Sequence, residues 1–394
     1  MHDVIIIGGG LHGCSTAYHL LRREPTLRVT VIEKDPSYEH AASARSNAGV
    51  RILFSQEENI AMSRYGHEVY GDYETLMAVN GKPGQLDFHR HGYLFIANTE
   101  AEAEAEMMQA NHAFQTGLGC DVRLLDGPGV AALYPCFNPD IIACATYSPN
   151  DGWLDPHGAL HGMRRKAWAL GATFIDAEVT GLDISQGPGG HLVRAVTLAD
   201  SQSLPCDHLV NNAGAWVIEI CRMASFEIPV VPLPRTTFYF EPAEPIGITP
   251  QSRDGQPVGI RPEGKGFISG NTDFSRAGAF DWTVDHSVFE TELWPNIARM
   301  VPALETLKVM NAWPCHYAYN TFDGNMLIGA WPDGPTNMIM ATGFSGHGLQ
   351  HAPAAGRALS ELILDGRFEA IDLGRFHCSR VKKGQLEPEV GVLA

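Results

Sequence analysis

The chain has no apolar run approaching the ~20 residues that span a bilayer, no C-x-x-C pair among its eight cysteines, and no internal repeat or low-complexity tract. The first absence excludes a membrane-spanning segment, and the second a zinc knuckle or a dithiol redox pair. The scattered cysteines then read as small buried hydrophobes. Basic residues are also scarce: 28 Lys and Arg stand against 45 Asp and Glu, for a net charge of −17. That balance disfavours nucleic acid or an anionic membrane as partner, while leaving room for a local basic pocket that takes a carboxylate. No basic leader or apolar h-region precedes Val4, so the expected location is cytoplasmic. What is present is ordinary globular composition, 44% hydrophobic and 19% charged over 394 residues. Such a length fits two domains or one elaborated fold.

The densest signal is the stretch from Val4 to Leu20. The apolar run Val4 to Ile7 breaks into glycines, and a helical pattern follows with Cys14, Ala17, Tyr18, Leu20 and Leu21 toward one side. Gly8, Gly10 and Gly13 fall at G-x-G-x-x-G spacing, where a tight turn, close approach to a pyrophosphate and close helix packing each leave no room for a β-carbon. A second strand, Arg28 to Glu33, ends on a carboxylate 20 residues after Gly13. That is the position of a ribose-binding acid, and it argues against a 2′-phosphate. The motif therefore predicts a dinucleotide site with the phosphates at a helix N-terminus.

Downstream, the polar run from Ala41 to Arg51 offers Ser43, Arg45, Ser46 and Asn47 as cofactor partners, with Gly49 permitting close backbone approach. A helix is predicted over Gln56 to Asn80, strands between Leu86 and Ala97, and a solvated charged helix over Glu100 to Thr116. Asp155 and Pro156 read as the N-cap and first turn of another helix. From Ile228 to Met310 the pattern is mainly strand-like, with Pro-rich breaks at 232–234, 242–250 and 257–262, and suggests a second domain. A final apolar strand over Met338 to Met340 leads through Gly343 to Gly348 into a helix over Gln350 to Leu364, with Pro353 in its first turn. Three strand-to-glycine turns, near residues 8, 213 and 343, are thus expected to converge on one ligand.

Taken together, Gly8-x-Gly10-x-x-Gly13 with Glu33, the Ser43 to Gly49 loop, Asn212-Ala-Gly-Ala-Trp216 and Ala341-Thr-Gly-Phe-Ser-Gly-His-Gly348 resemble the FAD-dependent D-amino-acid oxidase superfamily. The nearest branch is that of sarcosine oxidase, dimethylglycine dehydrogenase and the FAD-dependent oxidoreductase-domain proteins. The resemblance implies an α/β fold, with a Rossmann-like FAD-binding domain (1–80, 151–225 and 321–394) and a mixed-sheet substrate domain (81–150 and 226–320). It implies FAD held by Gly8, Gly10, Leu11, His12, Gly13, Glu33 and Lys34, by Ser43, Arg45, Ser46, Asn47 and Ala48, and by Val179, Ala213, Gly214 and Trp216. Gly343, Gly346, His347, Gly348, Leu349 and Gln350 would approach the flavin ring.

The implied chemistry removes hydride from the carbon beside the nitrogen of a small secondary or N-substituted amino acid, giving an imine. O2 or an electron-accepting partner would take the electrons. Arg51 and Arg261 are candidate carboxylate clamps, Tyr317 a pocket wall, and His347 a flavin contact or base. Monomeric sarcosine oxidase has arginine and lysine where this chain has Phe54 and Gln350, so its substrate does not transfer. Cys315-His-Tyr317 resembles a covalent flavin attachment segment, whereas Tyr319 to Asp323 resembles the noncovalent branch. Two other readings stay open: a D-amino-acid or glycine-type dehydrogenase passing electrons to a partner, and an FAD-binding subunit or assembly factor without turnover.

Overall fold

A computed structural model describes residues 3–187, 189–255 and 258–391. Pro257, in the third expected Pro-rich break, lies outside the described residues. Two large sheets organise the rest. The first has six strands in the order Leu327–Ala330, Met338–Thr342, His208–Asn211, Asp3–Ile7, Arg28–Glu33 and Thr173–Asp176. Its pairs are parallel except the one between Leu327–Ala330 and Met338–Thr342. The central strand Asp3–Ile7 is almost wholly buried, as its Val and Ile content demands of a parallel strand covered on both faces.

The second sheet has eight strands, in the order Leu307–Asn320, Val230–Pro242, Gly266–Thr272, Gly259–Glu263, Gln251–Asp254, Tyr93–Asn98, Ile142–Ser148 and Arg123–Leu125. It is antiparallel except where Gln251–Asp254 runs beside Tyr93–Asn98. One of its faces is a continuous apolar core of Leu94, Ile96, Phe238, Phe240, Ile260 and Phe267.

Several local expectations are corrected. The helix Leu11–Arg23 is not one-sided, because its neighbours Gly348–Leu364 and Pro156–Ala169 cover most of its surface. The helix expected to reach Asn80 stops at Gly71 and resumes as the single turn Tyr73–Leu76, since Asp72 leaves the helical conformation. Pro232 and Pro234 do not break a strand: they sit within Val230–Pro242, where it pairs with Leu307–Asn320 alone. Only one edge needs donors there. Phe289–Met300, within the expected strand region, is helical. The helix expected over Gln350 to Leu364 begins at Gly348, so Pro353 falls in its second turn. Proline cannot donate to the carbonyl of Leu349, and the Tyr70 hydroxyl bonds that carbonyl instead, at 2.6 Å.

Candidate active site

Strands Asp3–Ile7, His208–Asn211 and Met338–Thr342 are adjacent in the parallel sheet. The turns after them open onto one cavity of about 490 Å³. Its lining includes Gly8, Gly10, Leu11 and His12 from the first turn, Ala213, Gly214 and Trp216 from the second, and Gly346, Gly348 and Leu349 from the third. Gly8 is at φ +98°, and a β-carbon there would lie 2.4 Å from the Asn212 carbonyl oxygen. One on Gly13 would lie 1.9 Å from the Gly8 oxygen, so Gly13 shapes the turn without lining the cavity.

Glu33 lines the same cavity, accepting from the Gly9 amide at 2.8 Å and the Asp35 amide at 2.9 Å. Burial pushes its carboxyl up, and the two amides oppose that shift. Lys34 sits 4.0 Å from the centroid of Trp216, and Val179 completes this end. Ser43 accepts from the Leu11 amide at 3.1 Å and Ser46 from the Ala48 amide at 2.9 Å, which fixes the polar loop against the first turn. Ala48 takes a positive φ there.

A dinucleotide fits these residues. Helix Leu11–Arg23 has no side-chain cap and no acid in its first turn, which leaves an N-terminus suited to phosphate. His12 Nε2, Asn212 Oδ1 and Thr342 Oγ1 are buried at the cavity without a partner among the described residues. Unsatisfied buried groups are costly unless a ligand meets them.

An aromatic wall escaped the sequence reading. Phe280 stacks on Trp216 at 4.7 Å, Trp282 lies 4.3 Å from His40 and 4.2 Å from His316, and all five line the cavity. The isolated signal was Phe280-Asp-Trp282 in a polar stretch.

The remaining predicted residues are divided between this cavity, the packing beside it and a second cavity. Tyr317 lines the cavity and also packs beside Arg235. Arg51 is 7% exposed, its guanidinium 4.7 Å from the Phe54 ring centroid and 5.6 Å from that of Tyr93. Gln350 does not reach toward the cavity; its Oε1 accepts from the Arg51 amide at 2.7 Å. Asn47 accepts from Thr237 at 3.2 Å, tying the loop to the eight-stranded sheet.

Arg45 and Arg261 stand apart from Arg51. Arg45 donates to the Glu39 and Pro314 carbonyls, Arg261 pairs with Glu263, and both line a second cavity of about 780 Å³ that also takes in Trp153, His157 and Trp313. Gly343, at φ +69°, packs against Asn320. His347 is buried among Phe54, Phe344 and His351, with the two Nδ1 atoms 3.2 Å apart. Burial, with the charge of Arg51 adding, pushes its imidazole down to about 3. It is therefore neutral near pH 7, one Nδ1 donating and the other accepting.

Residues 3–362 match the family described as FAD dependent oxidoreductase, DAO. The chain is 35% identical to FAD-dependent oxidoreductase domain-containing protein 1 of Xenopus laevis, over 96% of this chain and 82% of that one. It is 27% identical to the mitochondrial sarcosine dehydrogenase of Mus musculus, over 96% of this chain and 42% of that one. Among solved structures, L-proline dehydrogenase from P. horikoshii superposes with a TM-score of 0.86 at 25% identity, covering 98% of this chain and 99% of its own. Glycine oxidase from Geobacillus kaustophilus shares the fold with a TM-score of 0.81 at 20% identity, over 96% and 99% of the two chains. With the glycine turns, the Glu33 carboxyl and a helix N-terminus at one cavity, the chain belongs to the DAO family of FAD-dependent oxidoreductases, and FAD is its cofactor.

Proposed function

We propose that this flavoenzyme oxidises the C–N bond of a small secondary or N-substituted amino acid to an imine. The carrying observation is Arg51, a buried cation whose Nε has no partner and which is paired with no carboxylate among the described residues. A guanidinium held among aromatic rings is suited to a substrate carboxylate. The similarity to sarcosine and dimethylglycine dehydrogenases supports substituted nitrogen as the reacting group.

Bound FAD supplies a two-electron acceptor for the C–H bond beside that nitrogen. This chain's residues would orient the substrate: Arg51 holds the carboxylate, Tyr317 and Tyr93 limit how the molecule turns, and the apolar rings exclude water. Neutral His347 is a packing partner of Phe54 and Phe344 here and does not act as a cationic acid near pH 7.

The test is anaerobic bleaching of the bound flavin by a panel of N-methyl amino acids, proline, glycine and D-amino acids. Fast bleaching by the substituted amino acids is expected. Bleaching by D-amino acids or glycine alone would move the substrate to a primary amine, and none at all would favour a flavin without turnover. Oxygen consumption during turnover would make O2 the acceptor; a bleached flavin that persists in air would assign an electron-accepting partner.

A further inference from the structure

Residues 51–55, which carry Arg51, belong to no helix or strand. Such a stretch needs partners for its buried backbone groups from outside any ladder. Side chains from distant parts of the chain supply them. The Arg51 amide donates to Gln350 Oε1 at 2.7 Å and the Ile52 amide to Asp151 Oδ2 at 2.8 Å. The Ser55 amide donates to Glu389 Oε2 at 2.6 Å, and the Phe54 carbonyl accepts from Gln115 Nε2 at 2.9 Å. Gln350, Asp151 and Gln115 are buried. Glu389 differs, because it belongs to a surface segment, residues 387–390.

That segment is docked through its own backbone. The Glu387 amide donates to Asp323, which pairs with buried Arg380, and the Glu387 carbonyl accepts from Asn325 at 3.0 Å. The Pro388 carbonyl accepts from Gln56 at 3.0 Å. The Val390 amide donates to Ser55 Oγ at 2.8 Å, and the Val390 carbonyl accepts from Asn111 at 2.8 Å. Between these anchors the Glu389 carboxylate turns inward and accepts from the Ser55 amide, the Ser55 hydroxyl and the Asn59 amide group. Hydrogen bonds to an ionised carboxylate are among the stronger kind. Burial pushes this carboxyl up, while its bonds to Asn59 and Ser55 and the charge of Arg51 oppose that shift.

The residue that Glu389 holds follows the ring on which Arg51 lies. Phe54 precedes Ser55, and the Arg51 guanidinium is 4.7 Å from the Phe54 centroid. A guanidinium meets a carboxylate along fixed directions, so a small shift of Phe54 and Ser55 takes Arg51 out of line. We infer that Glu389 is a positioning residue for the substrate, fixing residues 51–55 so that Arg51 presents its guanidinium to the substrate carboxylate. This rests on the reading of Arg51 as the carboxylate site.

Geometry and charge act in opposite directions here, which makes the role testable. Loss of the Glu389 charge alone would tighten an anion at Arg51, whereas loss of its grip on Ser55 would loosen it. The holoenzyme's flavin absorbance is titrated with propionate, a carboxylate with no amine to oxidise. Glu389→Ala is expected to weaken propionate binding about tenfold or more. Glu389→Gln keeps an acceptor for the Ser55 amide and gives up the charge, so it should bind propionate at least as tightly as the unaltered protein. The half-saturating substrate concentration for anaerobic flavin reduction should follow the same order, with the limiting rate changed by less than about threefold. If Glu389→Ala does not fold, Ser55→Ala, which removes the hydroxyl shared by Glu389 and Val390, should weaken propionate about threefold. Tighter binding in both Glu389 variants would overturn the inference, since charge alone would then be at work. So would an unchanged propionate affinity in Glu389→Ala, with or without loss of flavin, or no propionate binding in the unaltered protein. Propionate binding that depends on Glu389, without bleaching by any amino acid, would leave the inference standing and remove the proposed reaction. Bleaching with propionate binding indifferent to Glu389 would do the reverse.

Discussion

The parallel sheet lines its cavity with backbone at the glycine turns, and the eight-stranded sheet presents side chains on its face away from the apolar core. At the glycine turns, amide groups and a helix N-terminus line the cavity, and the decisive atoms are β-carbons that are not there. On the opposing sheet face, arginines and tyrosines project from strands distant in sequence, and the decisive atoms are charges. The first surface suits a constant group, the dinucleotide. The second is free to vary without disturbing the fold beneath it, which is where a family can diverge in substrate.

The contrast can be broken at its strongest point by Gly13→Val. A side chain 1.9 Å from the Gly8 carbonyl must displace the turn, at a cost of about 1–3 kcal/mol or more. Loss of most bound FAD is expected, read as absorbance per protein, with a lower Tm. Arg51→Gln should leave flavin content unchanged and cut the second-order rate of flavin reduction about 30-fold or more, because a substrate anion would lose its buried partner. Equal losses of flavin and activity would erase the distinction between the two surfaces.

Acid should unsettle both regions together. Burial holds His12 and His19 down to about 4 and His347 to about 3, against ~6.5 in an unfolded chain. Their stabilising contribution is complete above pH ~6.5 and is lost as pH falls toward 4, by about 1.4 kcal/mol per pH unit for each imidazole left neutral. Tm should drop steeply from pH 6.5 to 4.5. His19→Gln, remote from the arginine face and bonded to Ser15 and Tyr65, should shallow that slope. The smallest effect is expected for Arg261→Gln. Its charge is answered by Glu263 at the second cavity, so reduction kinetics should change by less than about threefold.

Much of the glycine-turn cavity was legible because its determinants are local. Gly8 to Gly13, Glu33 and the Ser43 loop each lie within a few residues of a strand end, so spacing along the chain stands in for distance. Arg235 and Arg253 were not legible in the same way. Each sits inside a strand, and whether a strand residue faces the core or the site depends on a register one residue wide. A charged residue amid Leu233, Phe238 and Phe240 was the available signal. Gln350 and Pro353 were placed in the right helix, but their roles turned on partners, Arg51 and Tyr70, about 300 residues away.

The sequence by itself determined the glycine turns that line the cavity, because a missing β-carbon and an apolar strand act over a few ångströms of contiguous backbone. Only the tertiary structure decided which arginines share a face. The register that turns a strand residue toward one face or the other exists only once the strands have paired.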